Sequence, residues 1–459
     1  MSVLNNFSAT DRGLLLAGLG SWFFYLVIAL IIDYFSYQSN WYYLAVGFLF
    51  AVYFIYFLIW ANWNNGVTVS PKSFWLVFLL GALLLFTLVL AIPVSLSDFY
   101  HYFFEDVALI VHGLNPYFSS PIGIPAEPAS WLSGWRFLPA QHGPARIFLT
   151  MPLALLSGGS VVTALFLYRL FFGLVVLASA LLIYKILENL KSKNSLMAVL
   201  LFLWNPLIIY ETMLNGGTDI LMVFWFLLAI YLVLIRRDYL AILSLTVSIM
   251  VKYITILVLP FFIIFLVFRT PGLKSRIIKF FSLSGATILA AILFFWPFWE
   301  GIYTLSPVFW VGRQFEANSF PGFVSLIFFL FNYDLDITIF KNLFTIAFAV
   351  IFGILLVNFC RQRQQQIENL FYVSMLVIIS FLFIGKFWFY PKYLIWLLPL
   401  LFLLDRRFYR LAVFLTGLVV LVPIHFYTNL LVVLFIPPVL VFSFYYFVVS
   451  FKDNNFKPV

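Results

Sequence analysis

A chain of 459 residues that is 64% hydrophobic and only 9% charged is no soluble globule, because charged residues ordinarily make up about a quarter of one. The formal charge of +9 falls in short Lys and Arg clusters between apolar runs, which offers no contiguous basic surface for nucleic acid. The single cysteine, Cys360, excludes an intrachain disulfide framework and a multi-cysteine metal site.

The N-terminal residues Met1 to Arg12 lack a cleavable-signal pattern, so the first apolar run, 14–33, is read as a retained helix. Further apolar runs follow at 41–61, 74–96, 160–187, 196–213, 219–236, 239–269, 276–298, 339–360, 366–385, 389–404, 407–424 and 430–450. Crossing hydrocarbon takes about 20 helical residues, and only helices or closed barrels satisfy their backbone groups there. Runs such as Leu76 to Ile92 show no period-two alternation, which excludes a barrel. The expected fold is all-α, a polytopic transmembrane bundle of about 11–14 helices forming one domain over residues 1–459.

Basic residues orient the bundle, because cytoplasmic loops are rich in Lys and Arg. Lys185, Lys191 and Lys193 mark one such loop; Arg236 and Arg237, then Arg269, Lys274, Arg276 and Lys279, mark others. The run 239–269 has basic residues at both ends and is too long for one straight span. It is read as two abutting helices with Lys252 and Tyr253 near the tip. The same alternation puts the segment 98–146, the turn Asn215 to Asp219, the loop Glu300 to Asp336 and the segment Lys386 to Lys392 on the outer face.

The long outer loop holds three of the four histidines and four of the seventeen acids. Asp98, Tyr102, Glu105 and His112 recur at helical spacing among apolar residues, which predicts an amphipathic interfacial helix with its polar face toward a cavity. Asn115-Pro116-Tyr117 is expected to stop it. Ala145 to Leu156 reads as a second interfacial helix before the Gly158-Gly159 break.

Asp98 has two readings: an acid that caps the helix, or a general base that deprotonates an acceptor hydroxyl. Glu105 and Asp106 read as solvated acids. Lys252 and Lys386 sit in or beside apolar runs, where a charge is costly and usually faces a cavity or partner. Both suit an anionic phosphate, with Arg313 as a further cation and pairing of Lys252 with Asp219 as the plainer reading. Arg169 reads as structural. In Asn215-Gly216-Gly217-Thr218-Asp219 the glycines fit a tight turn, and Thr218 or Asp219 would cap the next helix. Trp296, Trp299, Trp310, Trp388 and Trp396 suit an interfacial aromatic belt, with one or two free to stack on a sugar. No GxxxxGK[ST], no GxGxxG after a strand and no HExxH occur, so any energy must arrive in the substrate.

Several blocks, in order, resemble the GT-C superfamily of integral-membrane glycosyltransferases, and within it the polyprenol-phosphate-mannose-dependent mannosyltransferases. They are Asp98-Phe99-Tyr100-His101-Tyr102, Gly113-Leu114-Asn115-Pro116-Tyr117, Gly143-Pro144, Trp204-Asn205-Pro206, Asn215 to Asp219, Val251-Lys252-Tyr253, Gly385-Lys386 and Tyr390 to Pro399. The resemblance implies inverting transfer of a sugar from a lipid-phosphate donor on the extracytoplasmic side, with Asp98 in place of the family's first-loop catalytic acid. Two positions depart from the pattern: Gly217-Thr218 where relatives often have Gly-His, and Lys392 where a neutral residue is common.

The reading is therefore a plasma-membrane glycosyltransferase that moves a sugar, with mannose favoured, from a polyprenyl-phosphate donor to a glycan or glycolipid acceptor. Asp98 is the candidate base, and Lys252, Lys386 and Arg313 are the candidate phosphate ligands. Tyr102, Glu105, Asn115, Tyr117, His142, Asn215, Asp219 and Tyr393 are the candidate substrate contacts. The residues single out no cofactor; a divalent cation, Mg or Mn, could assist the phosphate, and carboxylates would suit it as ligands. The alternative is a flippase or transporter of a lipid-linked sugar, which predicts inverted repeats and charges along a transbilayer path.

Overall fold

The computed structural model describes residues 9–35, 41–64, 73–89, 91, 98–124, 133, 135–306, 319–331, 336–362 and 366–421. Arg313, Trp310 and the apolar run 430–450 lie outside the described residues. Among the described residues the regular elements are all helical. Five helices are long and apolar enough to cross a bilayer: Asp11–Leu30, Val161–Asn189, Leu273–Phe298, Ile337–Arg361 and Ile367–Gly385. Other apolar runs form helices of 10–17 residues, because prolines and polar residues break them.

The chain opens with α1 (Ala9–Phe35), α2 (Trp41–Asn64) and α3 (Ser73–Thr87), and α1 packs on both of the others. Trp22 on α1 donates to Thr87 Oγ1 on α3 at 2.9 Å. After α4 (Asp98–Ile110) and α5 (Pro144–Leu156), the long α6 (Val161–Asn189) runs the depth of the bundle. Its 29 residues rise about 43 Å, more than the roughly 30 Å hydrocarbon core.

A break follows between α7 (Ser195–Leu203) and α8 (Pro206–Met213), which are bent by 43°. Pro206 cannot donate a backbone hydrogen bond, and Asn205 repairs the gap. Its Oδ1 accepts from the backbone of Leu207 at 3.0 Å and Ile208 at 3.2 Å. Its Nδ2 donates to Tyr56 Oη and Thr416 Oγ1. Every polar atom of this buried amide is used, as a low-dielectric interior requires.

The fold-back expected within 239–269 is present. Helices α9 (Asp219–Leu234) and α10 (Asp238–Val251) run antiparallel: Ser244 and Ser248 on α10 donate to the carbonyls of Trp225 and Met222 on α9, each at 2.8 Å. Lys252 leaves the helix in an extended conformation at φ −149°, a 3-10 turn covers Tyr253–Val258, and α11 (Leu259–Phe268) returns. Arg269, just past α11, donates to the Val233 carbonyl near the end of α9 at 3.1 Å. Both ends of the run therefore lie at one end of the bundle and Lys252 at the other.

Then come α12 (Leu273–Phe295), α13 (Phe320–Leu330), α14 (Ile337–Arg361), α15 (Ile367–Ser380), α16 (Leu398–Leu403) and α17 (Arg406–Thr416). A π-turn, Phe381–Gly385, extends α15 to Lys386, and a 3-10 turn, Pro391–Trp396, leads into α16. Helix directions place Asp219, Lys252 and Lys386 at one end. Lys185, Arg236, Arg269, Lys274 and Arg361 stand at the opposite end.

Helix α4 differs from its sequence reading. Residues Phe99 to Ala108 are all buried and the helix packs on α5 and α6, so it does not lie on the surface, although His101 and Tyr102 line a cavity as its expected polar face should. It also stops earlier than Asn115-Pro116 predicts. Gly113 takes φ 62°, its N–H bonds to the Leu109 carbonyl, and the Leu114 N–H bonds to that of Ala108. This left-handed closure satisfies the last carbonyls of the helix and favours glycine.

Candidate active site

Where these ends meet there is a cavity of about 260 Å³, with Asp98, Lys252, Lys386 and Lys392 among its lining residues. Asp98 opens α4. Its Oδ2 is in direct contact with the Lys392 ammonium, and its Oδ1 accepts from Trp135 Nε1 at 3.1 Å. Tyr102, one turn along α4, donates to Oδ2 at 3.4 Å and lies equally far from His142 Nε2. Burial pushes the Asp98 carboxyl up, but the charge and hydrogen bond of Lys392 outweigh it and hold the group below its ordinary value. Lys392 is held above its ordinary value, since Asp98 and Asp219 outweigh the burial that lowers it.

The other two ammoniums come from broken helices. Lys252 Nζ bonds to Asp219 Oδ1 at 2.6 Å and stands 5.4 Å from the Tyr393 ring centre and 5.1 Å from that of Trp396. The same Asp219 oxygen accepts from the Trp396 indole. Thr218, expected as a helix cap, makes no side-chain cap bond. Lys386 lies 4.8 Å from the ring centres of both Trp388 and Tyr393. Aromatic faces attract the ammoniums through their quadrupoles and leave them turned toward the cavity.

Beneath α4 is a second charged cluster. Arg146 on α5 bonds to Asp106 Oδ1 at 2.7 Å and contacts Glu105 directly. Thr150 donates to Asp106 Oδ2 at 2.6 Å, Tyr168 on α6 contacts the same oxygen, and His101 Nε2 lies 2.8 Å from Glu105. Glu105 and Asp106 are 1% and 0% exposed, which corrects their reading as solvated acids. Burial raises the Asp106 carboxyl to about 6 against the pull of Arg146. Burial also raises Glu105, but Arg146 and His101 bring it below its ordinary value. This cluster bolts α4 to α5 and α6.

Six of the sequence candidates line the cavity: Asp98, Tyr102, His142, Lys252, Lys386 and Tyr393. The others do not. Asp219 stands behind Lys252, and Glu105 belongs to the buried cluster. Asn115 donates to the Phe298 carbonyl and to Glu300, each at 2.8 Å, and its Oδ1 accepts from the Tyr117 backbone. Tyr117 donates to the His142 carbonyl at 2.8 Å. Asn215 donates to Glu211 at 2.8 Å. These contacts shape the walls.

Sequence reasoning missed Lys392 and Trp135; it placed the five tryptophans in a membrane belt, with one or two left to stack on a sugar. Trp388 and Trp396 are buried and line the cavity, whereas Trp296 and Trp299 are exposed. A signal was available: Lys386 and Lys392 fall in one short segment at the end of the bundle opposite the other basic clusters.

His142 is shifted well below its ordinary value by burial first and then by Lys252 and Arg146, so it is neutral near pH 7. The segment it opens fits tightly against the helix break. Gly143 donates to the Val251 carbonyl at 3.2 Å, and a Cβ there would sit 2.0 Å from the Met250 carbonyl oxygen. A divalent cation finds no suitable donor set here. Among the described residues no group of three His, Cys, Asp or Glu could hold one, and the cavity carboxylate, Asp98, is engaged by a lysine among three ammoniums.

The fold and site define an integral-membrane helical protein with a lysine- and aromatic-lined pocket at the ends of its helices. The chain belongs to the alpha-(1->6)-mannopyranosyltransferase family: the model of the family's N-terminal domain matches residues 25–268, just over half of the chain. Asp98, Asp219 and Lys252 lie within the match, and Lys386 and Lys392 beyond it. The chain is also similar to alpha-(1->6)-mannopyranosyltransferase A of Mycobacterium tuberculosis (strain ATCC 25618 / H37Rv), at 30% identity over 179 residues. That alignment covers 38% of this chain and 34% of the mycobacterial protein, so the match spans about a third of that relative.

Proposed function

We propose that the chain is an inverting mannosyltransferase that uses a polyprenyl-phosphate mannose donor and a glycan or glycolipid acceptor at the extracytoplasmic face of the cell membrane. Support for mannose comes from the family and from the mycobacterial relative's name. Support for the face comes from the basic loops, which gather at the opposite end of the helices, as cytoplasmic loops do.

One observation carries the donor assignment. The cavity lining combines Lys252, Lys386 and Lys392 with Asp98 and the tryptophans, and it includes the apolar Ile254, Ile256, Leu257 and Phe381. Ile256 is 52% exposed, so the apolar part of the lining reaches the protein surface. A phosphate attached to a long isoprenoid needs this combination of ammoniums beside an apolar exit.

In the reaction Asp98 takes the proton of the acceptor hydroxyl as its oxygen attacks the anomeric carbon from the face opposite the phosphate. The bond between that carbon and the phosphate oxygen breaks, and its electron pair leaves with the polyprenyl phosphate. Lys252 and Lys386 hold the phosphate from donor binding through its departure, in the ground and transition states alike. A single displacement of this kind inverts the anomeric centre.

The test is transfer of labelled mannose from undecaprenyl phosphomannose to octyl mannoside by purified protein in nanodiscs, with the product anomer read by NMR. Wild type should give the anomer opposite to the donor's, and Asp98→Asn should abolish transfer. Retained configuration, or full activity in Asp98→Asn, would refute the mechanism. No transfer, with lipid-linked sugar moved across the bilayer, would replace the enzyme by a transporter.

A further inference from the structure

Asp98 takes three donors in the resting protein. Its Oδ2 carries the Lys392 ammonium and the Tyr102 hydroxyl, and its Oδ1 carries the Trp135 indole. A carboxylate paired with an ammonium in this way is a weaker base, because the positive charge favours its ionised form. Trp135 and Tyr102 are neutral, whereas Lys392 is charged, half-buried and lines the same cavity as Lys252 and Lys386.

We propose that Lys392 is a latch: it holds Asp98 until the donor phosphate arrives, then turns to the phosphate and frees the carboxylate to accept the proton. This rests on the reading of Asp98 as the base. The charge changes favour the exchange at each step. The bound donor is a phosphodiester with one negative charge, close to three ammoniums. When the acceptor oxygen bonds to the anomeric carbon, the acceptor proton passes to Asp98 and the phosphate leaves with a second negative charge. Neutral Asp98 no longer attracts Lys392, and the phosphate attracts it more strongly. Once the lipid phosphate departs, Asp98 releases its proton to water and Lys392 returns.

The groups facing Asp98 leave Lys392 as its direct cationic partner. Lys252 acts on it at longer range and is itself bonded to Asp219. Glu211 on α8 feels the Asp98 charge but bonds to Asn215. His142 is neutral, His101 is turned to Glu105, and Lys386 stands between its two rings.

The experiment uses the full chain in nanodiscs, with undecaprenyl phosphomannose and octyl mannoside, and follows wild type, Lys392→Met, Lys392→Arg and Asp98→Asn. In wild type the acidic limb of kcat/KM, which reports the free enzyme, should lie below that of kcat, which reports the donor complex. Lys392→Met should raise the kcat/KM limb by about one pH unit or more, move the kcat limb little and raise the donor KM about tenfold. Lys392→Arg should restore most of the donor KM.

A second readout needs no turnover: Asp98→Asn releases Lys392, so it should bind the donor several-fold more tightly than wild type. Adding Lys392→Met should cancel that gain. A kcat/KM limb unmoved in Lys392→Met while Asp98→Asn is inactive would overturn the latch and keep Asp98 as base. Unchanged or weaker donor binding by Asp98→Asn would do the same. Full transfer by Asp98→Asn would remove the base itself.

Discussion

Lys252 and Asp219 form a 2.6 Å ion pair between the first turn of α9 and the extended residue that ends α10. The pair holds an ammonium at the rim of a helix break, with Trp396 bonded to the same carboxylate oxygen. Asp219→Ala should therefore free Lys252 from its position. We expect a loss of about 10- to 100-fold in kcat/KM, the worth of a hydrogen bond to a charged group, seen mainly as a higher donor KM. An unchanged donor KM would show that Lys252 is placed by its rings alone.

Lys386 should behave as a binding group. Lys386→Met should raise the donor KM about tenfold and leave kcat within a few-fold, the signature of an interaction made equally in the ground and transition states. Steady-state kinetics with varied donor separates this from a loss confined to kcat.

Arg146 should matter for stability. Arg146→Met removes the guanidinium from two buried carboxyls, leaving Glu105 with His101 and Asp106 with the hydroxyls of Thr150 and Tyr168, and should cost about 3–5 kcal/mol. Thermal unfolding followed by fluorescence-detected size exclusion would register it. A triple change, Arg146→Met with Glu105→Gln and Asp106→Asn, should recover much of the loss, because no charge is then stranded. A single variant as stable as wild type would remove the cluster as the anchor of α4.

Gly143→Ala should impair both transfer and stability. The added Cβ meets the Met250 carbonyl at 2.0 Å, so the backbone must shift next to Lys252. We expect at least about a tenfold fall in kcat/KM together with a lowered melting temperature, since the clashing atoms are backbone. Wild-type kinetics would show that the segment yields without moving the lysine.

The sequence revealed the helical membrane class, the break at Lys252 and the convergence of Asp98, Lys252 and Lys386, because each follows from apolar run length and charge placement. It did not reveal which partners those charges take. Glu105 and Asp106 looked solvated since Arg146 lies 41 and 40 residues away, and helical periodicity carries no information at that separation. Lys392 looked like a departure from the family pattern, and its partner is 294 residues away. The stop of α4 was misplaced because a proline is conspicuous, whereas the left-handed Gly113 is visible only in the backbone.

The shortness of α10 also bears on how the chain is made. Its 14 residues rise about 21 Å, against a core of roughly 30 Å. Emerging from the ribosome, this segment is a poor insertion signal by itself and has Lys252 following directly behind. Helix α9 precedes it and offers the carbonyls to which Ser244 and Ser248 bond. Insertion of the two together as a hairpin would supply the partner that α10 lacks alone and would carry Lys252 to the Asp219 that holds it.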